Sequence, residues 1–322
     1  MNYIGSKYKL SSWIKEEITK KIEPKNKVFC DLFAGTGIIG RVFKKEVKQI
    51  ISNDIEYYAY VLNRNYIANH TNLKEKLEII EYLNNLPLKE GFIYKNYCSP
   101  ANRLYFSDEN GKKIDTIRME IEKFRDDENL YYFLLASLIE SADKVANTAS
   151  VYGAFLKKIK NSAQKKLILE PAIYEENENE HLVFNDDANN LIKKIKGDIL
   201  YLDPPYNQRQ YGANYHLLNT IAEYKEFIPK GKTGLRDYQK SSYCRKNEVQ
   251  KSFEELIKEA DFEYIFLSYN NEGLMSEEEI KEIMSKFGKY ELIKKEYQRF
   301  KADNKRNHKA DKTFEYLHIL RK

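Results

Sequence analysis

Three cysteines in 322 residues, Cys30, Cys98 and Cys244, make neither a CxxC pair nor an even-numbered framework. That excludes a disulfide scaffold and points to a reducing cytosol. The five histidines are scattered, with no HExxH and no Cys/His cluster, so no metal is expected. Long hydrophobic runs are missing too. The most apolar stretch, Tyr131 to Ile139, is too short to span a bilayer and is followed by Glu140. No apolar segment follows Lys7 and Lys9, so no signal peptide is expected. Neither sign of charge dominates: 54 Lys+Arg stand against 49 Asp+Glu, a net +5 compatible with nucleic acid without requiring it. No repeat or linker divides the chain. These absences leave a cytoplasmic protein with no membrane partner. What is present is 42% hydrophobic residues, enough to bury a substantial core.

One short stretch organises the rest. Ile199-Leu200-Tyr201-Leu202 is followed by Asp203-Pro204-Pro205-Tyr206, the pattern of a buried parallel strand stopping at its carboxyl end. Neither proline has an N–H for further ladder pairing, so a rigid turn presents a carboxylate, a bare carbonyl and an aromatic ring. That set suits a planar heterocycle bearing an amino group. An exocyclic nitrogen such as adenine N6 is a poor nucleophile because its lone pair is delocalised into the ring. The Asp203 carboxylate and the Pro204 carbonyl can accept both amino protons and favour the localised lone pair. Tyr206 can stack on the base.

A glycine turn comes earlier. Val28 to Phe33 has the character of a buried strand, and Gly35, Gly37 and Gly40 fit G-x-G-x-x-G in a strand–turn–helix setting. The next strand, Gln49 to Asn53, ends at Asp54, an acid placed to bind the ribose hydroxyls of a nucleoside cofactor. This turn alone leaves a dinucleotide and S-adenosylmethionine both open. Gly5, Ser6 and Lys7 just before a helix can meet an anion.

From Asn63 to Ala172 the strand–helix alternation is interrupted by a mainly helical segment (Lys113 to Phe124, Leu130 to Val145), with a polar break at Ser107–Gly111. Within it, Arg103 stands in a polar cluster suited to base edges. Strand character resumes at His181 to Phe184, ahead of Asp186 and Asp187, and a helix from Leu191 to Lys196 leads into the strand before Asp203. Between Pro229 and Lys251, basic residues including Lys240 and Arg245 alternate with tyrosines, a composition for contacting phosphates. Ser276 to Glu279 is a capping box, and Tyr290 to Ile293 with Thr313 to Leu320 are expected to close the sheet as a hairpin.

These motifs in this order resemble the Dam-like DNA adenine-N6 methyltransferases, in which the glycine motif comes first and DPPY last. The resemblance covers nearly the whole chain. It implies an α/β, Rossmann-like S-adenosylmethionine-dependent methyltransferase sheet. Residues 1–62 and 173–322 would form the catalytic domain, and 63–172 an inserted target-recognition region. By the same resemblance Tyr3 and Lys7 contact S-adenosylmethionine, as do Asp31, Phe33, Gly35 and Gly37 of the glycine motif, Asp54, and Asp187, with Asp186 as the alternative. Asp203, Pro204, Pro205 and Tyr206 form the catalytic motif unaltered, and Ser268-Tyr269-Asn270 with Asn271-Glu272-Gly273 also match family sequence. The implied substrate is double-stranded DNA methylated after base flipping, and the implied setting is restriction-modification with a companion endonuclease. Two rivals remain open here: an RNA adenine-N6 methyltransferase, which would use nearly the same turn, and a non-catalytic DNA-binding module.

Overall fold

The structure is a computed structural model that describes residues 7–298 and 312–322. Tyr3, Gly5 and Ser6 lie outside the described residues, as do residues 299–311. The chain folds as two compact units: Glu56–Glu178 with Tyr211–Tyr238 make one, and the rest of the described chain makes the other.

The second unit is built on a sheet. Strands β1 (Val28–Asp31), β2 (Gln49–Asn53), β3 (Leu182–Phe184), β4 (Lys196–Leu202) and β5 (Asp261–Asn270) are parallel. Strands β6 (Lys289–Gln298) and β7 (Lys312–Arg321) form an antiparallel hairpin, with β7 against β5. The order is β3-β2-β1-β4-β5-β7-β6. The apolar run of β4 explains its central place, because Ile199, Leu200, Tyr201 and Leu202 are all buried, as a parallel strand covered on both faces requires. On one face Leu200, Leu202, Ile265 and Leu267 pack with Phe253 and Leu256 of helix Val249–Glu259 and with Ile280 and Met284 of helix Glu277–Ser285. On the other, Phe29 stacks on Phe43 with ring centroids 4.4 Å apart. The capping box forms: Ser276 Oγ accepts from the Glu279 N–H, and Glu279 Oε2 accepts from the Ser276 N–H.

Strand order creates the site. From β1 the chain works outward through β2 and β3, then returns to the other side of β1 as β4 and moves on to β5. The carboxyl ends of β1 and β4 therefore flank the reversal, where an open α/β sheet leaves a crevice for ligands. Asp31 stands opposite Tyr201 in this pair, so the turns after Asp31 and after Leu202 emerge side by side.

The first unit is mainly helical, with a core that includes Leu62, Phe106, Ile114, Ile117, Leu134, Leu138, Leu218 and Ile221. The polar stretch Ser107–Gly111 is a helix start rather than a break. Ser107 Oγ accepts from the Asn110 N–H, and Asp108 and Glu109 sit in the first turn of helix Asp108–Ile121, where acids oppose the positive end of the helix dipole. Buried Arg118 ties helix His216–Glu223 to this helix by donating to the carbonyls of Ile221 and Ala222. In the sheet unit, the helix expected from Leu191 to Lys196 lies earlier, at Ala188–Leu191, because Asp187 caps it and Lys196 joins β4.

The turn after β1 needs glycine at two places, with φ of 53° at Gly35 and 75° at Gly37. Gly37 also begins helix Ile38–Phe43. A β-carbon in the left-handed region costs roughly 1–2 kcal/mol, so Gly37→Ala should lower stability by about that amount in urea unfolding. An unchanged midpoint would mean that the turn relaxes freely.

Candidate active site

The turn after β1 is fastened to its neighbours. The Ala34 N–H donates to the Asn53 carbonyl (2.9 Å), and the Gly35 N–H to Asp54 Oδ2 (2.8 Å). Asn53, fully buried, donates through Nδ2 to the carbonyls of Leu32 and Asp186, both at 3.1 Å, and accepts from the Asp186 N–H at 3.0 Å. One amide side chain thus joins the turns after β1 and β3. Asp54 keeps partial exposure at the mouth of the glycine turn.

Asp31 is buried beneath that turn. Its Oδ2 accepts from the Gly40 N–H (3.2 Å), and its Oδ1 has no partner among the described residues. Burial pushes its carboxyl up to about 8 despite the Gly40 bond, with Asp203 and Asp54 adding to the effect. An unpaired buried acceptor costs free energy, and it suits a cationic or hydrogen-bond-donating ligand.

After β3, Asp187 Oδ1 accepts from the N–H groups of Asn189 and Asn190. Asp186 pairs instead with Lys194, 3.1 Å away. Phe33 meets Tyr243 edge-on with centroids 5.0 Å apart, and the Tyr243 hydroxyl donates to Asn189 Oδ1. Asp187 therefore stands beside an aromatic wall, whereas Asp186 turns to a surface lysine.

The turn after β4 carries the densest electrostatics. Asp203, 16% exposed, lies 3.2 Å from Lys7 Nζ, and the same ammonium is 2.7 Å from Glu315 Oε1. Lys7 also sits over the Tyr206 ring, 5.5 Å from its centroid. Burial pushes the Asp203 carboxyl up to about 7; Lys7 pulls it down and Glu315 pushes it further up. For Lys7, burial alone would favour the neutral amine, but Asp203 and Glu315 outweigh it and hold the ammonium's pKa well above the usual value. Pro204 is buried and Pro205 and Tyr206 are half-buried. The Tyr206 carbonyl accepts from the Leu274 N–H (3.0 Å), and its ring packs edge-on against Tyr269. A β-carbon at Gly273 would lie 2.1 Å from Tyr269 Cε1, so the segment after β5 must approach closely to brace the turn.

One part of the sheet unit thus gathers Lys7, Asp31, Phe33, Gly35, Gly37, Asp54, Asp187 and Asp203–Tyr206. Arg103 belongs to the helical unit, where its guanidinium donates to the carbonyls of Asn96 and Gly231. Lys240 and Arg245 belong to the sheet unit, both exposed, with Arg245 paired to Glu248 at 2.6 Å. Sequence reasoning missed Asn53 and Glu315. For Glu315 there was a faint signal, an acid alternating with Leu317 and Ile319 on the buried face of β7.

Comparison with known proteins agrees with this geometry. Residues 3–283 match the model of a family described as D12 class N6 adenine-specific DNA methyltransferase. The chain is 62% identical to Type II methyltransferase M.NlaIII of Neisseria lactamica, covering 100% of this chain and 99% of that protein. It is 42% identical to Type II methyltransferase M.CviAII of Paramecium bursaria Chlorella virus 1, over 94% and 93% respectively. Against Type II methyltransferase M.FokI of Planomicrobium okeanokoites it is 40% identical, over all of this chain and 53% of that protein.

The protonation of Asp31 has a consequence for stability. Its carboxyl titrates at about 8 when folded, against about 3.9 in an unfolded chain. The folded state therefore keeps a proton that the unfolded state releases. The stability this gives is complete below the unfolded value and is lost as pH rises towards 8. Asp31→Asn should flatten the decline in melting temperature of the ligand-free protein between about pH 5.5 and 7.5. A decline as steep as the wild type's would mean that Asp31 is already ionised in the fold.

Proposed function

The chain belongs to the D12 class N6 adenine-specific DNA methyltransferase family, and from that premise we propose how its own residues carry methyl transfer to adenine N6. The observation that carries the reading is the placement of Asp203 at the carboxyl end of β4, beside the end of β1, with its carboxyl half-available near neutrality. The target adenine must leave the duplex, since its N6 is out of reach within the stack. Asp203 and the Pro204 carbonyl accept its two amino protons, Tyr206 stacks on the ring, and Pro205 keeps the turn stiff. Localising the lone pair on N6 is the chemical contribution of this turn.

S-adenosylmethionine, when bound, supplies a methyl group already activated by its sulfonium. The residues present fit such a ligand. Buried, unpartnered Asp31 Oδ1 suits a cationic group, Asp54 at the glycine turn suits a ribose, and Phe33 with Asp187 suits an adenine face and edge. Gly35 and Gly37 let the backbone come close. Lys7 and Tyr3 complete the proposed set. The protein's task is to hold two substrates in register.

For DNA, the helical unit is the proposed reader of sequence, with Arg103 a candidate contact that must first exchange two carbonyl partners. Lys240 and Arg245 are proposed phosphate contacts. The Type II methyltransferase names of the relatives support a restriction-modification setting; the proposed companion endonuclease is not physically required for methyl transfer.

Asp203→Ala should cut turnover on duplex DNA to below about a tenth of wild type, more than ~1.4 kcal/mol of transition-state stabilisation. A purified, folded variant that retains more than this rules out the acceptor pair. Asp54→Ala should weaken S-adenosylmethionine binding by roughly 1.5–3 kcal/mol. Unchanged affinity in calorimetry would assign Asp54 to bracing Gly35 alone.

A further inference from the structure

Glu315 has no part in the reading above, yet it lies beside the catalytic turn at 1% exposure, as buried as Asp31. It projects from β7, opposite Asn270 of β5, on the same face as Leu317 and Ile319. Ser268 of β5 donates to its Oε1 at 2.5 Å, Lys7 Nζ lies 2.7 Å from the same oxygen, and Oε2 has no partner among the described residues. An isolated buried carboxylate in a hydrophobic strand is costly, and packing alone gives no reason for one.

The two distances from Lys7 are unequal. Its contact with Glu315, at 2.7 Å, has the length of a charge-assisted hydrogen bond. Its contact with Asp203 is longer, at 3.2 Å, although Lys7 still lowers the Asp203 carboxyl by its charge and a side-chain hydrogen bond. One ammonium thus faces two carboxylates and is held by the one that does not meet substrate. Resting on the proposed role of Asp203 as acceptor, we infer that Glu315 is a positioning residue for methyl transfer: it retains the Lys7 ammonium so that Asp203 stays free to accept from the target amino group. Without Glu315, Lys7 closes onto Asp203 as a neutral pair, and the adenine must compete with it. The other charged or titratable groups facing Asp203 and its neighbours are Tyr201, Tyr206, Asp31 and Glu272. None of them stands between Lys7 and Asp203.

The sign of the effect makes it testable. Glu315 raises the Asp203 pKa and Lys7 lowers it, so removing each should move the acid limb of the rate profile in opposite directions. Single-turnover methylation of plasmid DNA from a methylation-free host would be followed from about pH 5.5 to 9 at saturating S-adenosylmethionine. Glu315→Gln is isosteric and can still accept from Ser268. It should shift the acid limb down by about half a unit or more and lower the plateau rate about tenfold. Lys7→Met should shift the limb up. If Glu315→Gln does not fold, Glu315→Asp keeps the charge but draws it back from Lys7, and it should lower the plateau rate and shift the limb in the same direction by a smaller amount. A limb that stays put or rises on loss of Glu315, or a plateau rate that keeps its wild-type value, overturns the inference. If the wild type shows no acid limb and Asp203→Asn keeps full turnover, the fault lies in the acceptor role of Asp203, and the inference falls with it.

Discussion

The parallel pairing of β1 with β4 is the constraint on which the site depends. Successive strands are added outward on opposite sides of this pair, so the two turns that leave it open on the same crevice. Because Asp31 is in register with Tyr201, a buried acid at one strand end and the Asp203 turn at the other emerge as neighbours. The parallel ladder also pairs Phe29 with Ile199 and Cys30 with Leu200, so both strands end at the same level of the sheet. Everything chemical follows from where the two strands stop, and the two prolines make the stop of β4 abrupt.

Gathering acids at one crevice has an electrostatic cost. Burial raises Asp31 and Asp203 well above the ordinary carboxylate range, and each is a group the fold would hold more easily if neutral. A cationic ligand changes this balance, because it lowers the pKa of a nearby carboxyl and gains affinity by the same amount. Lys7 is the internal cation of this arrangement, 2.7 Å from Glu315 and 3.2 Å from Asp203.

Much of the sheet unit was legible in the sequence because the signals were local. β2 falls at Gln49–Asn53 as its pattern indicates, the glycine turn joins a strand to a helix, and Ser276 with Glu279 caps the helix that follows. The helical region was harder. Ser107–Gly111 has the composition of a loop, but a serine cap and acids in a first turn have it too. Tyr211–Tyr238 carries no sign that it packs with a segment a hundred residues earlier; buried Arg118 and its two carbonyl partners make that connection. Glu315 escaped for a related reason. Its importance lies in contacts with Lys7 and Ser268, both distant in sequence, and single-chain patterning carries no information on such pairs.

The measurement that tests the central claim most directly is made in cells. The wild-type protein and Asp203→Ala would be expressed separately in a host with no DNA methylation, and modified bases mapped across the genome by sequencing. The expected result is N6-methyladenine at one short recognition sequence with the wild type and at none with the variant. Modification of cytosine, or adenine methylation that survives the loss of the Asp203 charge undiminished, would contradict it.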